Sequence, residues 1–218
     1  MPRPQAERAA GRNWRWLPGL SGLGFVVCFA IAALLYGSGA GSQQREISAY
    51  YANSGSRIHQ IEGFAVLLVG CIVLMVYVAV LQTFVAEGSL MRQVGGISGT
   101  SAIVFLMLAN ALWASTAFTV EIQHFGYAVD VGSHLLLEDA AFVCLITAML
   151  AAIPWVLVTS ISGARSGAMP RWFAPLGVIA SVGQVFAYWY FPLVGFLLWV
   201  AAGSILVVRK SISELPRQ

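Results

Sequence analysis

The fold turns on residues 173–208, FAPLGVIASVGQVFAYWYFPLVGFLLWVAAGSILVV, which contain no charged side chain. As one helix these 36 residues would run roughly 54 Å at 1.5 Å per residue. That is too long for one crossing of a hydrocarbon core about 30 Å thick. Pro192, within YWYFPLVG, has no N–H to give and its ring clashes with the preceding turn, so it would break a continuous helix. The stretch therefore predicts two short spans, 173–191 and 193–208, joined by a tight turn. Tyr188, Trp189 and Tyr190 would then sit in an aromatic belt at the membrane surface.

Four further apolar runs precede it, at about 17–37, 61–86, 97–121 and 135–160. The chain is 218 residues long, 59% hydrophobic and only 10% charged, against about 25% charged in ordinary globular domains. Its mean hydropathy is +0.79. The expected fold class is all-α, a polytopic membrane bundle of six transmembrane helices with both termini cytoplasmic. Residues 1–16 would form a basic tail, 17–210 the transmembrane domain and 211–218 a second tail. With that orientation ten Lys and Arg lie on inner segments, and Arg45 and Arg57 alone lie outside, as the positive-inside rule requires. The expected location is a bacterial plasma membrane, crossed several times.

A rival reading concerns the start. MPRPQAERAAGRNWRW is a basic lead, Leu17–Tyr36 an apolar run, and Ser38 and Ala40 a small-x-small pair. Those are the parts of a cleavable signal, and cleavage there would leave five spans.

The net charge of +3 is not a nucleic-acid footprint, because the basic residues sit at termini and loops and not in a patch with aromatics between them. No phosphate-binding glycine loop or dinucleotide fingerprint occurs. Cys28, Cys71 and Cys144 all fall in apolar runs with no CxxC pair, so they read as small buried residues and not as a disulfide framework.

The polar residues are unevenly placed. Residues 120–139, VEIQHFGYAVDVGSHLLLED, hold four of the nine acids, two of the three histidines and no Lys or Arg. Every histidine has an acid one helical turn away: His59 with Glu62, His124 with Glu121, and His134 with Asp130 and Glu138, beside which lies Asp139. Residues three or four apart share a helix face, and His–carboxylate pairs on several helices are how bundles build metal sites. His59, His124 and His134 are thus candidate ligands of a divalent metal, and Glu62, Glu121, Glu138 and Asp139 candidate ligand-binding acids. The bland alternative is that acids gather at helix N-termini because the dipole favours them there, with Ser133 as an N-cap. Glu121 resists that account, since it ends a helix, where the dipole opposes it. It should acquire a proton, a cation or His124 as partner.

Small and polar residues also form stripes at helical spacing: Gly24, Cys28 and Ala32; Asn110, Ala114, Ala117 and Glu121; Gly177, Ser181, Gln184 and Tyr188. Such stripes serve close helix packing. Asn110 and Gln184 lie near mid-bilayer, where an unpaired amide is costly, so each needs the other or a ligand. Before the second run, Ile47, Tyr50 and Tyr51 in the loop 38–60 suggest a short interfacial helix with its tyrosines at headgroup level.

Two segments, SAYYANSGSRI (48–58) and MPRWFAPLGVIASV (169–182), resemble small six-span bacterial membrane proteins of actinobacterial type whose families carry no assigned function. The second is similar to a Pro-Arg-Trp-Leu-Gly pattern of that group, with Phe173-Ala174 in place of Leu-Gly. The resemblance implies the six-span fold and a bacterial origin, and it implies no chemistry.

Two functions that use a site compete, against a third option, a sensor or assembly subunit with no site at all. One is a non-enzymatic membrane protein that binds or moves a small ligand, proton or cation through the Glu/His cluster, since intramembrane ionisable residues are functional candidates by default. The other is an intramembrane enzyme using paired carboxylates, with or without metal, on a lipid-soluble substrate such as an isoprenoid. The expected partners are the lipid bilayer, a small-molecule or cation ligand, and either a second copy of the chain or a membrane complex.

Overall fold

The computed structural model describes residues 17–37, 39, 41, 43–85, 89–123, 129–189 and 191–213. Within them the chain is helical throughout: α1 Leu17–Tyr36, α2 Gln44–Ala52, α3 Ser54–Gln82, α4 Leu90–Gln123, α5 Val131–Arg165, α6 Phe173–Val185 and α7 Phe191–Ser213, with a 3₁₀ turn at Ala187–Trp189. Five of these (α1, α3, α4, α5 and α7) are long and apolar enough to cross a membrane. This is an integral membrane protein of helical-bundle type.

Setting α2 aside, each helix packs on its neighbours in the chain, and α7 returns to pack on α1. Six helices therefore close a ring. Its axis is filled by aromatic side chains: Trp155 meets Trp199 edge-on with centroids 5.2 Å apart, and Tyr77 at 6.2 Å. Phe173 and Phe196 stack on Trp199 at 5.7 and 6.3 Å. One end of the bundle carries Arg92, Arg165, Arg209 and Lys210, the other Arg57, Glu121, His134 and Glu138; we call them the basic and the acidic end.

Two places show how the ring closes. Pro154 lies inside α5, where a proline cannot donate to the carbonyl four residues back. Ser98 of α4 inserts beside it. Its hydroxyl accepts from the Trp155 N–H at 3.0 Å and donates to the Ala151 carbonyl, bridging the one backbone bond that would otherwise link those residues. A neighbouring helix thus satisfies backbone groups that a bilayer could not. At Gly177 a Cβ would collide with Ser160 of α5. The bare glycine lets α6 lie against Ser160, whose Oγ accepts from Trp199 Nε1 of α7 at 2.8 Å.

The segment 173–208 divides as expected but not where expected. The break falls at Phe186–Trp189, one turn earlier, and Pro192 sits buried in the first turn of α7, where its missing N–H is an orphan in any helix. The helix before the break has 13 residues, about 20 Å at 1.5 Å per residue. The 3₁₀ turn extends it, and Tyr188 and Trp189 are exposed there; Tyr190 lies outside the described residues.

At the acidic end the helices run past their apolar stretches. α3 begins at Ser54, α4 continues to Gln123 and α5 starts at Val131. These overhangs, with α2, build a cap with its own small core of Ile47, Tyr51 and Ala117, flanked by Ile61, Val120 and Leu135. The α2 helix forms as its sequence suggests, but Ile47 and Tyr51 are 0% and 1% exposed. They face protein and not headgroups, because the overhanging ends supply a better apolar surface than the membrane interface. Gly41, at φ +78° and pressed against Glu46, makes the turn into α2 that a residue with a Cβ would resist.

Candidate functional site

The cap and the upper ring bring ionisable side chains of the acidic end into one network. Arg57, one helical turn into α3, places Nε 2.9 Å from Glu121 Oε2 and donates through a terminal nitrogen to the Tyr51 carbonyl at 2.6 Å. Glu121, expected to need a proton, a cation or His124, has a cation: a side chain 64 residues earlier, the second of the two arginines at that end of the bundle. Arg57 also ties α2 to α3 and α4. His124 lies outside the described residues.

His134 is 2% exposed. One ring nitrogen, Nδ1, lies 3.2 Å from Thr116 Oγ1 and 3.5 Å from the Tyr51 hydroxyl; the other, Nε2, lies 3.4 Å from Glu138 Oε1. Tyr51 stands edge-on to the imidazole at 5.2 Å and donates to Gln60 Oε1 at 3.3 Å. Burial pushes the Tyr51 phenol up to about 12, a shift that its bonds to Gln60 and Thr116 partly oppose. Burial raises Tyr50 too. Asp130, and not Ser133, is the N-cap of α5. Its carboxylate accepts from the Ser133 N–H at 2.8 Å and the Ser133 hydroxyl at 2.7 Å, and those bonds hold its pKa below the usual value.

Below this network lies a cavity of about 530 Å³. Its polar rim is Gln60, Glu138, Asp139 and Tyr36. Its walls are Phe29 and Ala32 of α1, Leu67 of α3, Trp113 of α4, Phe142 and Leu145 of α5, and Leu193 of α7. Glu138, Phe142 and Leu145 are spaced i, i+4, i+7 on α5, so the cavity descends roughly 10 Å along that helix. Asn110 holds Tyr36 in place from behind: it accepts from the Tyr36 hydroxyl and donates to the Phe64 carbonyl at 3.0 Å.

The sites expected from sequence thus separate. Glu138 and Asp139 share the cavity rim, and Glu138 is joined to His134. Glu121 belongs to the Arg57 pair above it. Glu62 and His59 are exposed on α3 and make no hydrogen bond or ion pair among the described residues. Asn110 pairs with Tyr36 and Phe64, and not with Gln184. Gln184 is 0% exposed, and neither atom of its amide finds a hydrogen-bond partner among the described residues. Among the described residues no three His, Cys, Asp or Glu side chains are grouped to hold a metal ion; the pair His134–Glu138 is the nearest approach to the expected ligand set.

Four functional residues were not legible as such: Arg57, Tyr51, Gln60 and Tyr36. All lie in or beside the segment 36–60, which reads as an ordinary loop. The one available signal was Arg57 itself, one of only two Lys or Arg expected on that side, the other being Arg45. No protein-family model, curated protein or solved structure matches this chain.

Proposed function

We propose that this protein is a six-span bacterial plasma-membrane protein, of the small family its segments 48–58 and 169–182 resemble, that binds a small ligand in a cavity facing outward. Both termini are cytoplasmic, and the sixth span is α6 with its 3₁₀ turn, 17 residues from Phe173 to Trp189. The distribution of Lys and Arg supports that orientation and turns the acidic end outward.

The observation that carries the function is the cavity itself. A volume of about 530 Å³ lies in the range of small-molecule sites, which are mostly apolar with a few polar groups that fix orientation. Here those groups are Glu138, Asp139 and Gln60. Below it the ring narrows to a space of about 20 Å³ bounded by Trp155 and Phe196, so the cavity ends blindly within the bundle. That favours holding a ligand over passing one.

The test is access. Ala33 is exposed on the cavity wall. In a chain whose three cysteines are replaced by alanine, Ala33→Cys should react with a small membrane-impermeant thiol reagent added outside intact cells, and Leu67→Trp, which fills the cavity, should suppress the labelling of Ala33→Cys. Labelling only from the cytoplasmic side, or labelling indifferent to Leu67→Trp, would overturn the reading.

A further inference from the structure

We infer that the ligand of this cavity is a hydrophobic organic monocation, a protonated or quaternary ammonium or a comparable delocalised cation carrying an apolar body. The inference rests on the reading of the cavity as an outward-facing binding site and adds the chemistry of its occupant.

Charge is the first argument. Two carboxylates, Glu138 and Asp139, border the cavity, and among the described residues lining it none is Lys, Arg or His. Of the two arginines of the cap, Arg57 is engaged by Glu121 and the Tyr51 carbonyl, Arg45 is exposed on α2, and neither lines the cavity. Glu138 meets His134 on one side at 3.4 Å while its side chain remains 35% exposed, so a carboxylate oxygen still faces open space. An anion would meet two like charges with no compensating positive charge in the lining, a cost of specificity that needs no steric block.

The walls are the second argument. Trp113, Tyr36, Phe29 and Phe142 line the space, and the rings of Tyr36 and Trp113 stand 6.2 Å apart at 52°. Aromatic faces attract a cation most when both are out of water. A strongly hydrated ion such as an alkali metal would leave its water and find too few oxygens, since hard cations take six or more. A cation whose charge is spread over apolar substituents gains from the carboxylates, the rings and the aliphatic floor together.

Access is the third. α1 packs on α7 near the basic end, where Gly19 meets Val207 and Val208, and Gly22 meets Ser204. Further up, the cavity occupies the space between Ala33 and Phe29 of α1 and Leu193 of α7 and Phe142 of α5. Ala33 and Gly37 are exposed there. The gap lies at the level of the outer leaflet, where amphiphilic cations collect.

The probes are tetraphenylphosphonium and tetraphenylborate, which share size and shape and differ in the sign of their charge. Full-length protein in nanodiscs of zwitterionic phosphatidylcholine is titrated with each, against empty nanodiscs, by calorimetry. Saturable binding of the cation and none of the anion is expected. Glu138→Gln together with Asp139→Asn should weaken the cation at least tenfold, about 1.4 kcal/mol, and Ala33→Trp should abolish the saturable component. Thermal midpoints of the variants within a few degrees of wild type establish that they fold. Equal binding of both ions, or cation binding indifferent to the two carboxylates, overturns the inference. Binding of neither ion, with Ala33→Cys still labelled from outside, overturns the inference and leaves the cavity reading standing; loss of that labelling removes the cavity reading itself.

Discussion

Removing the Arg57–Glu121 pair should loosen the cap by an amount that the geometry bounds. Fully exposed ion pairs contribute about 0.2–1 kcal/mol, and hydrogen bonds to charged groups in drier sites about 1.5–3 kcal/mol. This pair lies between, with side chains 15% and 38% exposed. Glu121→Gln keeps an acceptor for Arg57 and should lose about 1 kcal/mol; Arg57→Met also loses the bond to the Tyr51 carbonyl and should lose about 2 kcal/mol. The two share one interaction, so the double variant should lose about 2 rather than 3 kcal/mol, a coupling of about 1 kcal/mol. For a chain of this length each kcal/mol moves the thermal midpoint by about 2–4 °C, well within reach of unfolding scans in detergent on wild type, both single variants and the double. Because an arginine supplies the positive charge, a strong chelator should leave the wild-type midpoint where it is. Additive losses in the double variant would refute the pairing, and a midpoint that chelator lowers in wild type but not in Glu121→Gln would put a metal in place of Arg57.

Ser98→Ala removes the hydroxyl that bridges Trp155 N–H and the Ala151 carbonyl, and should cost about 1 kcal/mol, the scale of interhelical hydrogen bonds in membranes, read as a fall in the midpoint; Ser98→Thr, which keeps the hydroxyl, should recover part of it. Gly177→Ala forces α6 away from Ser160 and Trp199 and should cost about 1–3 kcal/mol as an overpacked contact, with a change in tryptophan fluorescence reporting the lost Trp199–Ser160 bond. Tyr51 ionises with a pKa of about 12 in the folded cap against 10.0 ordinarily. A raised acid stabilises the fold below the unfolded value and loses that contribution as pH climbs through the folded one. Amide exchange in α2 should therefore accelerate between pH 10 and 12 relative to the ring helices, and Tyr51→Phe should remove that alkaline step.

The apolar runs revealed the bundle because the bilayer allows few alternatives: a long uncharged stretch must become a helix with its backbone bonds closed on itself. The same runs misplaced the helix ends. Residues 54–60, 122–123 and 131–134 fell outside the apolar runs and read as loop, yet they continue as helix beside the small core that α2 builds with Ile47 and Tyr51. That docking depends on partners distant in sequence, and no periodicity reports it. The pairing of His134 with Glu138 was legible as an i,i+4 step. The same rule paired His59 with Glu62, which the fold leaves exposed and apart. Spacing on one helix says which residues share a face and not what that face meets. Glu121 shows the converse: its need for a cation was readable from its place at a helix end, and its partner was not, since Arg57 reaches it only after α3 and α4 have packed.

Whether such a site passes its ligand inward depends on what lies beneath it. Segments 17–36, 63–85, 93–120, 140–164 and 173–208 contain no Asp, Glu, Lys or Arg. A cation leaving Glu138 toward the basic end would give up its counter-charge and meet none for the rest of the crossing, and a charge at the centre of a bilayer costs about 2.5–3.5 kcal/mol even on the most permissive scale. The route is also closed by packing. The space beside Trp155 and Phe196 is about 20 Å³, and Trp155 is locked between Tyr77 and Trp199, with Trp199 fixed in turn by Ser160 and Phe173. Electrostatics and packing thus set barriers in the same direction, and in this conformation both oppose the passage of a cation from Glu138 toward the basic end.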